Sequence, residues 1–500
     1  MKAVGTDART HRRTGAWARA LFLCVCASAA PVRLAAQCPD GSPPPCAGVR
    51  AGPPGLIIAP FENRSRDTAD VYLAATLTED VTSALAASHS VRLLNARSSR
   101  RSADYLLAAS VRRERGVERL IARLERAATG EIVWTASLDA TQVAGSIADE
   151  LARLVLQRLG VRPAQVGAAR RSDRPIDPVA FDLYRRGRYF ARRRTQSDVT
   201  AGLDLLMRAV ARDSSFALAW AEITTTYNYV NQWHIPLASV PAESVLIREL
   251  DASTRALLAD STRSEVWVAR ALALGDVEPS SGSATIRAYR RALALDSLDA
   301  TAWNGLGMAL EETGDAPAGR RAFQHSLTLD PSNPTILVDL AIWHFYWNRQ
   351  YDSAKVIADS VLALDPAYLS GHRLAGIVAL ARGEYGAAEA QFEAARNLGP
   401  GVERVWSLAG LAVAAAVRGD SARTRARIAE MESIVDASAP SLHGAIFIAW
   451  GYAALGDHAR ALDWLERFQP TGHLHFQRHL LDGPFDPLRN EPRFRRLAGP

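Results

Sequence analysis

From Trp220 to the C-terminus, a set of landmark residues recurs about every 34 to 36 residues. A period of that length confines the chain to folds that stack one small unit on the next. Trp220, Trp267, Trp303, Leu337, His372 and Trp406 hold equivalent places. Asp260-Ser261, Asp296-Ser297, Asp330-Pro331 and Asp365-Pro366 each stand six or seven residues ahead of one of them. Within one unit, His372, Ala375, Gly376 and Ala379 space a first helix; Ala388, Phe392, Ala395 and Pro400 space a second and close it. Such a hairpin leaves an apolar face uncovered, so neighbours must stack to bury it. The gap from Trp220 to Trp267 is longer than the rest, and its excess falls in the Pro-containing stretch 232–241, which reads as an enlarged inter-helix loop. A degenerate unit follows Trp406, and Ala445, Ile448, Ala449, Tyr452, Ala461 and Leu465 mark the last.

The large, small, small, bulky and closing-proline order resembles the tetratricopeptide repeat. The resemblance implies an all-α, right-handed solenoid whose concave surface takes another chain and which has no reaction centre of its own.

The formal charge is +6, but residues 1–36 hold Lys2, Arg9, Arg12, Arg13, Arg19 and Arg33 against Asp7 alone. Without that leader the remainder carries +1, so the basic balance gives no reason to expect a nucleic-acid partner. A basic stretch to Arg19, an apolar core from Ala20 to Ala30 and the small residues around Leu34-Ala35-Ala36 form the three parts of a signal peptide over 1–36. The expectation is export to the periplasm or cell envelope. An uncleaved leader is the alternative and would tether the chain to the inner membrane, although the apolar run is short for a span. A Pro/Gly-rich linker, 37–54, carries Cys38 and Cys46, which an oxidising compartment would close as a small disulfide loop. Two free thiols are the other reading, and a zinc site there lacks further ligands.

Residues 55–160 have a different texture. A strand is expected at 56–61 and a helix where Ala74, Leu77, Val81, Ala84 and Leu85 recur; further strands are expected at 90–94 and 104–111. Leu120, Ala122 and Leu124 alternate with Arg119, Arg123 and Glu125, and Thr129-Gly130 turns the chain into a second alternating strand at 132–138. A final amphipathic helix at 144–159 completes a small α/β domain. The order Ile58-Ala59-Pro60-Phe61-Glu62-Asn63, Leu77-Thr78-Glu79-Asp80, Ser110-Val111-Arg112-Arg113 and Thr129-Gly130-Glu131-Ile132-Val133-Trp134 resembles the TolB-like N-terminal domain. That domain is often followed by tetratricopeptide repeats, and 180–189 and 485–494 resemble the usual entry and exit. Thr76 stands where the pattern usually has glycine. Related chains often carry a kinase, cyclase or winged-helix module ahead of this domain; here a signal-like leader does, so the likeness is to the receptor half. The organisation expected is a linker at 161–177, repeats over 178–482 and a tail at 483–500, mostly helical overall.

Catalysis finds little support. Phosphoryl transfer needs a lysine on the phosphates, and the chain has only Lys2 and Lys355, neither behind a glycine-rich loop. Gly305-Leu306-Gly307 is a fragment of a dinucleotide pattern, but Gly307 reads as the small residue of a repeat helix. His473, His475 and His479 are taken as surface or packing histidines rather than metal ligands, and no cofactor is expected.

Asn304, Glu311, Phe345, Arg373 and Arg404 fall where first-helix residues tend to line the concave groove, a mixture suited to a peptide or partner helix. Residues 162–194 carry ten arginines against Asp173, Asp177 and Asp182, a band that reads as a solvated linker face, or as a dock for the acidic solenoid, lipid phosphates or an anionic partner. The function expected is a non-catalytic scaffold or adaptor of the bacterial cell envelope, with protein or peptide partners. The alternative is a sensor subunit acting with a separate kinase or transcriptional regulator.

Overall fold

A computed structural model describes residues 53–498, apart from 68–69, 87, 89, 95–102, 141–145, 162–175, 194, 234, 238–239, 278–281, 332, 400–402, 436–440 and 469–473. The leader, Cys38, Cys46 and His473 therefore lie outside the described residues.

The first domain is a mixed sheet. β1 (Gly55–Ile58), β2 (Glu62–Asn63), β3 (Arg92–Leu94), β4 (Tyr105–Glu114), β5 (Val117–Arg126) and β6 (Ile132–Asp139) adopt the order β3-β1-β4-β5-β6, with β2 beside β4. β1 runs parallel to β3 and β4, whereas β4, β5 and β6 form an antiparallel meander. Arg115 and Gly116 join β4 to β5 with φ of 52° and 82°, the two positive values that let a two-residue turn follow the strand twist. α1 (Tyr72–Ala86) and α2 (Ile147–Arg158) cover one face. Leu107, Ala109 and Val111 of β4 and Leu120, Ala122 and Leu124 of β5 are buried against Leu77, Val81, Leu151 and Val155 of those helices. The period-2 alternation in β5 turns its Arg119 and Arg123 to the opposite face.

The rest of the chain is a stack of helical hairpins, an all-α solenoid of tetratricopeptide type. α3 (Pro178–Ala191) pairs with α4 (Gln196–Arg212), and α5 (Ala217–Trp233) with α6 (Ala242–Ala259). α7 (Ser264–Gly275) pairs with α8 (Ser283–Leu295), and α9 (Ala300–Glu312) with α10 (Ala316–Leu329). α11 (Pro334–Asp339) runs on as a π-helix through Leu340–Tyr346 and packs on α12 (Tyr351–Leu364). α13 (Leu369–Ala381) pairs with α14 (Tyr385–Leu398), α15 (Arg404–Val417) with α16 (Ser421–Ile434), and α17 (Leu442–Leu455) with α18 (His458–Arg467). α19 (Leu474–His479), a 3-10 helix at Gly483–Leu488 and α20 (Pro492–Ala498) end the described chain.

The landmark spacing has a local cause. Trp220, Trp267 and Trp303 each donate the indole N–H to the carbonyl six residues earlier, at Ser214, Ser261 and Ser297, over 2.9, 2.8 and 2.9 Å. His372 Nε2 meets the Pro366 carbonyl in the same way at 2.9 Å. Just before each carbonyl residue, Asp213, Asp260, Asp296 or Asp365 accepts the N–H two positions on and fixes the turn. An aspartate, a small residue or proline, and a large donor six residues later thus form one structural device. Gly305 and Gly307 have packing roles on α9: a Cβ at Gly305 would meet the Tyr289 ring at 2.3 Å, and one at Gly307 the Phe323 ring at 3.0 Å.

The arginine band needs a correction. Its described part is neither a solvated face nor chiefly turned toward the solenoid, because α3 lies against α1 and presents its arginines to the α/β domain. Arg185, 3% exposed, pairs with Glu118 of β5 at 2.9 Å and donates to the Thr76 hydroxyl at 3.2 Å. Arg188 pairs with Asp80 at 2.6 Å, and Arg192 divides between Glu79 and Glu222. In return Asp182 of α3 accepts from Arg113 at 2.5 Å and from the Tyr72 hydroxyl. Thr76 thereby acquires a reason: a glycine there would give Arg185 no oxygen to bond.

Candidate functional site

Consecutive first helices, from α5 through α7, α9, α11, α13 and α15 to α17, touch along one row. The row curls back on itself, because α17 also packs on α5. His443 of α17 lies 3.2 Å through Nδ1 from the Gln232 carbonyl and stacks on Trp233 at 4.3 Å between centroids.

Polar groups buried along this row are held largely by one another. Asn228 and Asn231 donate to Asp276 at 3.0 and 2.9 Å; Asn304 donates to Asp339 at 2.6 Å. Glu311 Oε1 meets His344 Nδ1 at 2.6 Å. Tyr229 donates to Glu403 at 2.8 Å, and Arg373 pairs with Glu403 at 3.6 Å and bonds its carbonyl. Glu249, fully buried, stands beside Asp276; burial first, and then the neighbouring charge, pushes the Glu249 carboxyl up, and burial likewise raises Asp276. Asn304 Oδ1 and His344 Nε2 are buried without a hydrogen bond inside the chain.

The chain's own C-terminal segment lies on this row. α19 packs on α9, and the 3-10 helix packs on α17. Trp347 donates its indole N–H to Asp482 at 2.9 Å, and Arg349 pairs with Asp486 at 2.7 Å. Arg478 reaches Glu311 at 3.7 Å, and His475 reaches Glu312 at 3.5 Å. Phe476 is buried at 0% exposure, and so are Phe485 and Leu488 in the 483–500 stretch read as a tail, which places those two side chains in the core.

The five residues expected to line an open groove divide accordingly. Asn304, Glu311 and Arg373 are 6, 0 and 4% exposed, which corrects the picture of solvent-facing side chains. Phe345 and Arg404 are half-buried. Glu311 bonds His344, the residue before Phe345, and Arg373 bonds Glu403, the residue before Arg404. Sequence reasoning missed Glu403 and the pairing of His344 with Glu311, although each of the two stands immediately before a singled-out residue. The π-helix at Leu340–Tyr346 shifts the register of the aromatic stretch 343–347 so that Trp343, His344, Tyr346 and Trp347 are all buried.

The two described C-terminal histidines, read from sequence as surface or packing residues, lie on α19, with His475 partly exposed and His479 buried. His475 and His479 share one helical face, and α17 brings His443 to them, so that one ligand-type atom from each lies within 4.8 Å of the others. His443 carried no sequence signal linking it to the pair. Among the described residues, no helix is long and apolar enough to cross a membrane.

No known family model matches the chain. A curated relative, the candidate adenylate cyclase 3 of Rhizobium meliloti (strain 1021), is 25% identical over 200 residues, covering 36% of this chain. The chain spans about a third of that relative's length, 34%. Among solved structures, PilW, a widely conserved type IV pilus biogenesis factor, is similar over 44% of this chain and 94% of its own, at 16% identity and a TM-score of 0.34. YrrB, a TPR protein with an unusual peptide-binding site, is similar over 42% and 96%, at 18% identity and a TM-score of 0.28.

Proposed function

We propose that this chain is a non-catalytic scaffold of the bacterial cell envelope that holds segments of partner proteins on its row of first helices. The observation that carries the reading is that this row already holds a peptide segment in cis. Residues 474–488 lie on it through buried aromatic anchors and charged pairs, the combination by which helical grooves take up partner chains. Asn304 Oδ1 and His344 Nε2 supply acceptor or donor capacity that the chain itself does not use. The basic-apolar leader supports export, and the order of motifs over 58–134 supports a TolB-like first domain.

A second reading, a signalling subunit working with a separate output protein, draws support from the match to part of a cyclase. The two differ in the partner.

The test is a crosslinking pull-down from the source cells with the tagged full chain beside a Phe345→Ala/Arg404→Ala variant, whose half-buried positions spare the core. Envelope proteins captured by the native chain and lost with the variant support the scaffold reading. Capture that survives the variant moves the binding surface elsewhere. A captured kinase or regulator favours the signalling subunit, and exclusively cytoplasmic partners overturn the envelope assignment.

A further inference from the structure

We propose that His443, His475 and His479 form a binding site for one divalent transition-metal cation of the zinc class, joining α17 to the C-terminal segment.

The geometry is that of a three-imidazole site. With a metal about 2.0 Å from each ring nitrogen and tetrahedral angles, ring centroids fall about 5.2 Å apart. Here the centroid separations are 5.0 Å for His475 and His479, 5.8 Å for His443 and His479, and 5.9 Å for His443 and His475. The ring planes cross at 63°, 85° and 77°, so the rings converge edgewise rather than stack on one another. The three ligand atoms lie within 4.8 Å of one another, so a shift of up to about 1 Å per ring closes the set to bonding distance.

Each ring is also oriented from behind. His479 Nδ1 meets Asp482 at 2.9 Å, His443 Nδ1 meets the Gln232 carbonyl at 3.2 Å, and His475 Nδ1 lies 3.5 Å from Glu312. The acceptors hydrogen-bonded at Nδ1 of His443 and His479 fix the tautomer that presents Nε2 to a metal, and the Glu312 carboxylate stands on the Nδ1 side of His475. Asp482 is itself held by the Trp347 indole. Asp482 and Glu312 supply the negative charge that a buried dication requires.

Packing accounts for part of the arrangement, since His443 stacks on Trp233 and Phe447. It does not account for three imidazoles converging with an acceptor bonded behind two of them and a carboxylate beside the third. A bound cation would pin residues 475–482 on the helix row and so make access to that row depend on metal.

The experiment uses the full chain without a histidine tag, stripped by chelator and titrated with Co2+ and then Zn2+, followed by visible absorption and metal analysis. Saturation at one equivalent, with tetrahedral cobalt absorption displaced by Zn2+, is the expected result. His475→Gln, at the partly exposed ring, weakens Co2+ binding at least about tenfold while metal-free thermal unfolding stays near that of the native chain. His479→Ala abolishes the absorption; should that buried substitution disturb folding, His475→Gln decides alone. Absence of saturable binding in the native chain, or an unchanged isotherm in His475→Gln, overturns the site and leaves an aromatic packing cluster.

Discussion

Trp347 of the first-helix row donates its indole N–H to Asp482 at 2.9 Å, across 135 residues of sequence, with both groups buried. His479 Nδ1, within the same segment, lies 2.9 Å from the other oxygen of that carboxylate, so Asp482 joins the C-terminal segment to the middle of the solenoid while bracing its own helix end. Trp347→Phe keeps most of the ring and deletes the donor. The expected cost is about 2 kcal/mol, the size of a hydrogen bond to a charged group. Hydrogen exchange should accelerate in 474–488 more than elsewhere; unaltered exchange there would mean that apolar contacts alone hold the segment.

The contact between the two domains depends on charge that is mostly out of water. Arg185→Ala removes the buried partner of Glu118 and the donor to Thr76. A loss of about 3 kcal/mol is expected in urea unfolding. Because Arg113 also pairs with Glu118 at 2.6 Å, Arg185→Ala combined with Glu118→Gln should cost less than the two single changes summed. Strict additivity would show that the network does not act as a unit.

At Gly305 the Tyr289 ring lies where a Cβ would stand. Gly305→Ala forces that ring aside and should destabilise the chain by about 2 kcal/mol. With Tyr289→Ala already present the same substitution should cost much less, since the clash is gone. Equal costs in both backgrounds, read from denaturant midpoints, would exclude the steric explanation.

Glu249 gives a pH dependence whose sign follows from its burial. Its folded-state pKa is raised, first by desolvation and then by Asp276, so the folded chain keeps a proton that the unfolded chain releases above about 4.5. The folded state then binds more protons, and this group's contribution to stability is full below that value and is lost as pH rises toward the raised pKa. The groups facing it are Asp276 and Asn228, with Asn231 and His475 acting on Asp276. Glu249→Gln should therefore raise the Tm of chelator-treated protein at pH 8 by about 2 °C or more, and by less at pH 5. A gain at pH 5 equal to that at pH 8 would show that the carboxyl is not protonated in the folded chain.

Much of the fold was legible in the sequence because its determinants are local. The turn device of Asp296, Ser297 and Trp303 spans eight residues, and the alternation around Leu120, Ala122 and Leu124 lies within one strand, so both repeat visibly along the chain. The candidate site was only partly legible. Positions on the first-helix row such as Asn304 and Arg373 follow from the repeat register, but their burial depends on Asp339, Glu403 and the returning C-terminal segment.

The sequence by itself therefore determined the repeating hairpins and the helix-covered sheet, since hydrophobic period, capping aspartates and turn chemistry act over a few residues. Tertiary structure alone decided that α3 docks its arginines on α1, that the row of first helices curls until α17 meets α5, and that residues 474–488 return onto it. These outcomes sum small inter-hairpin rotations over the whole stack and pair side chains far apart in sequence, such as His443 with His479. No local period encodes that sum, so the three imidazoles come together only in the folded chain.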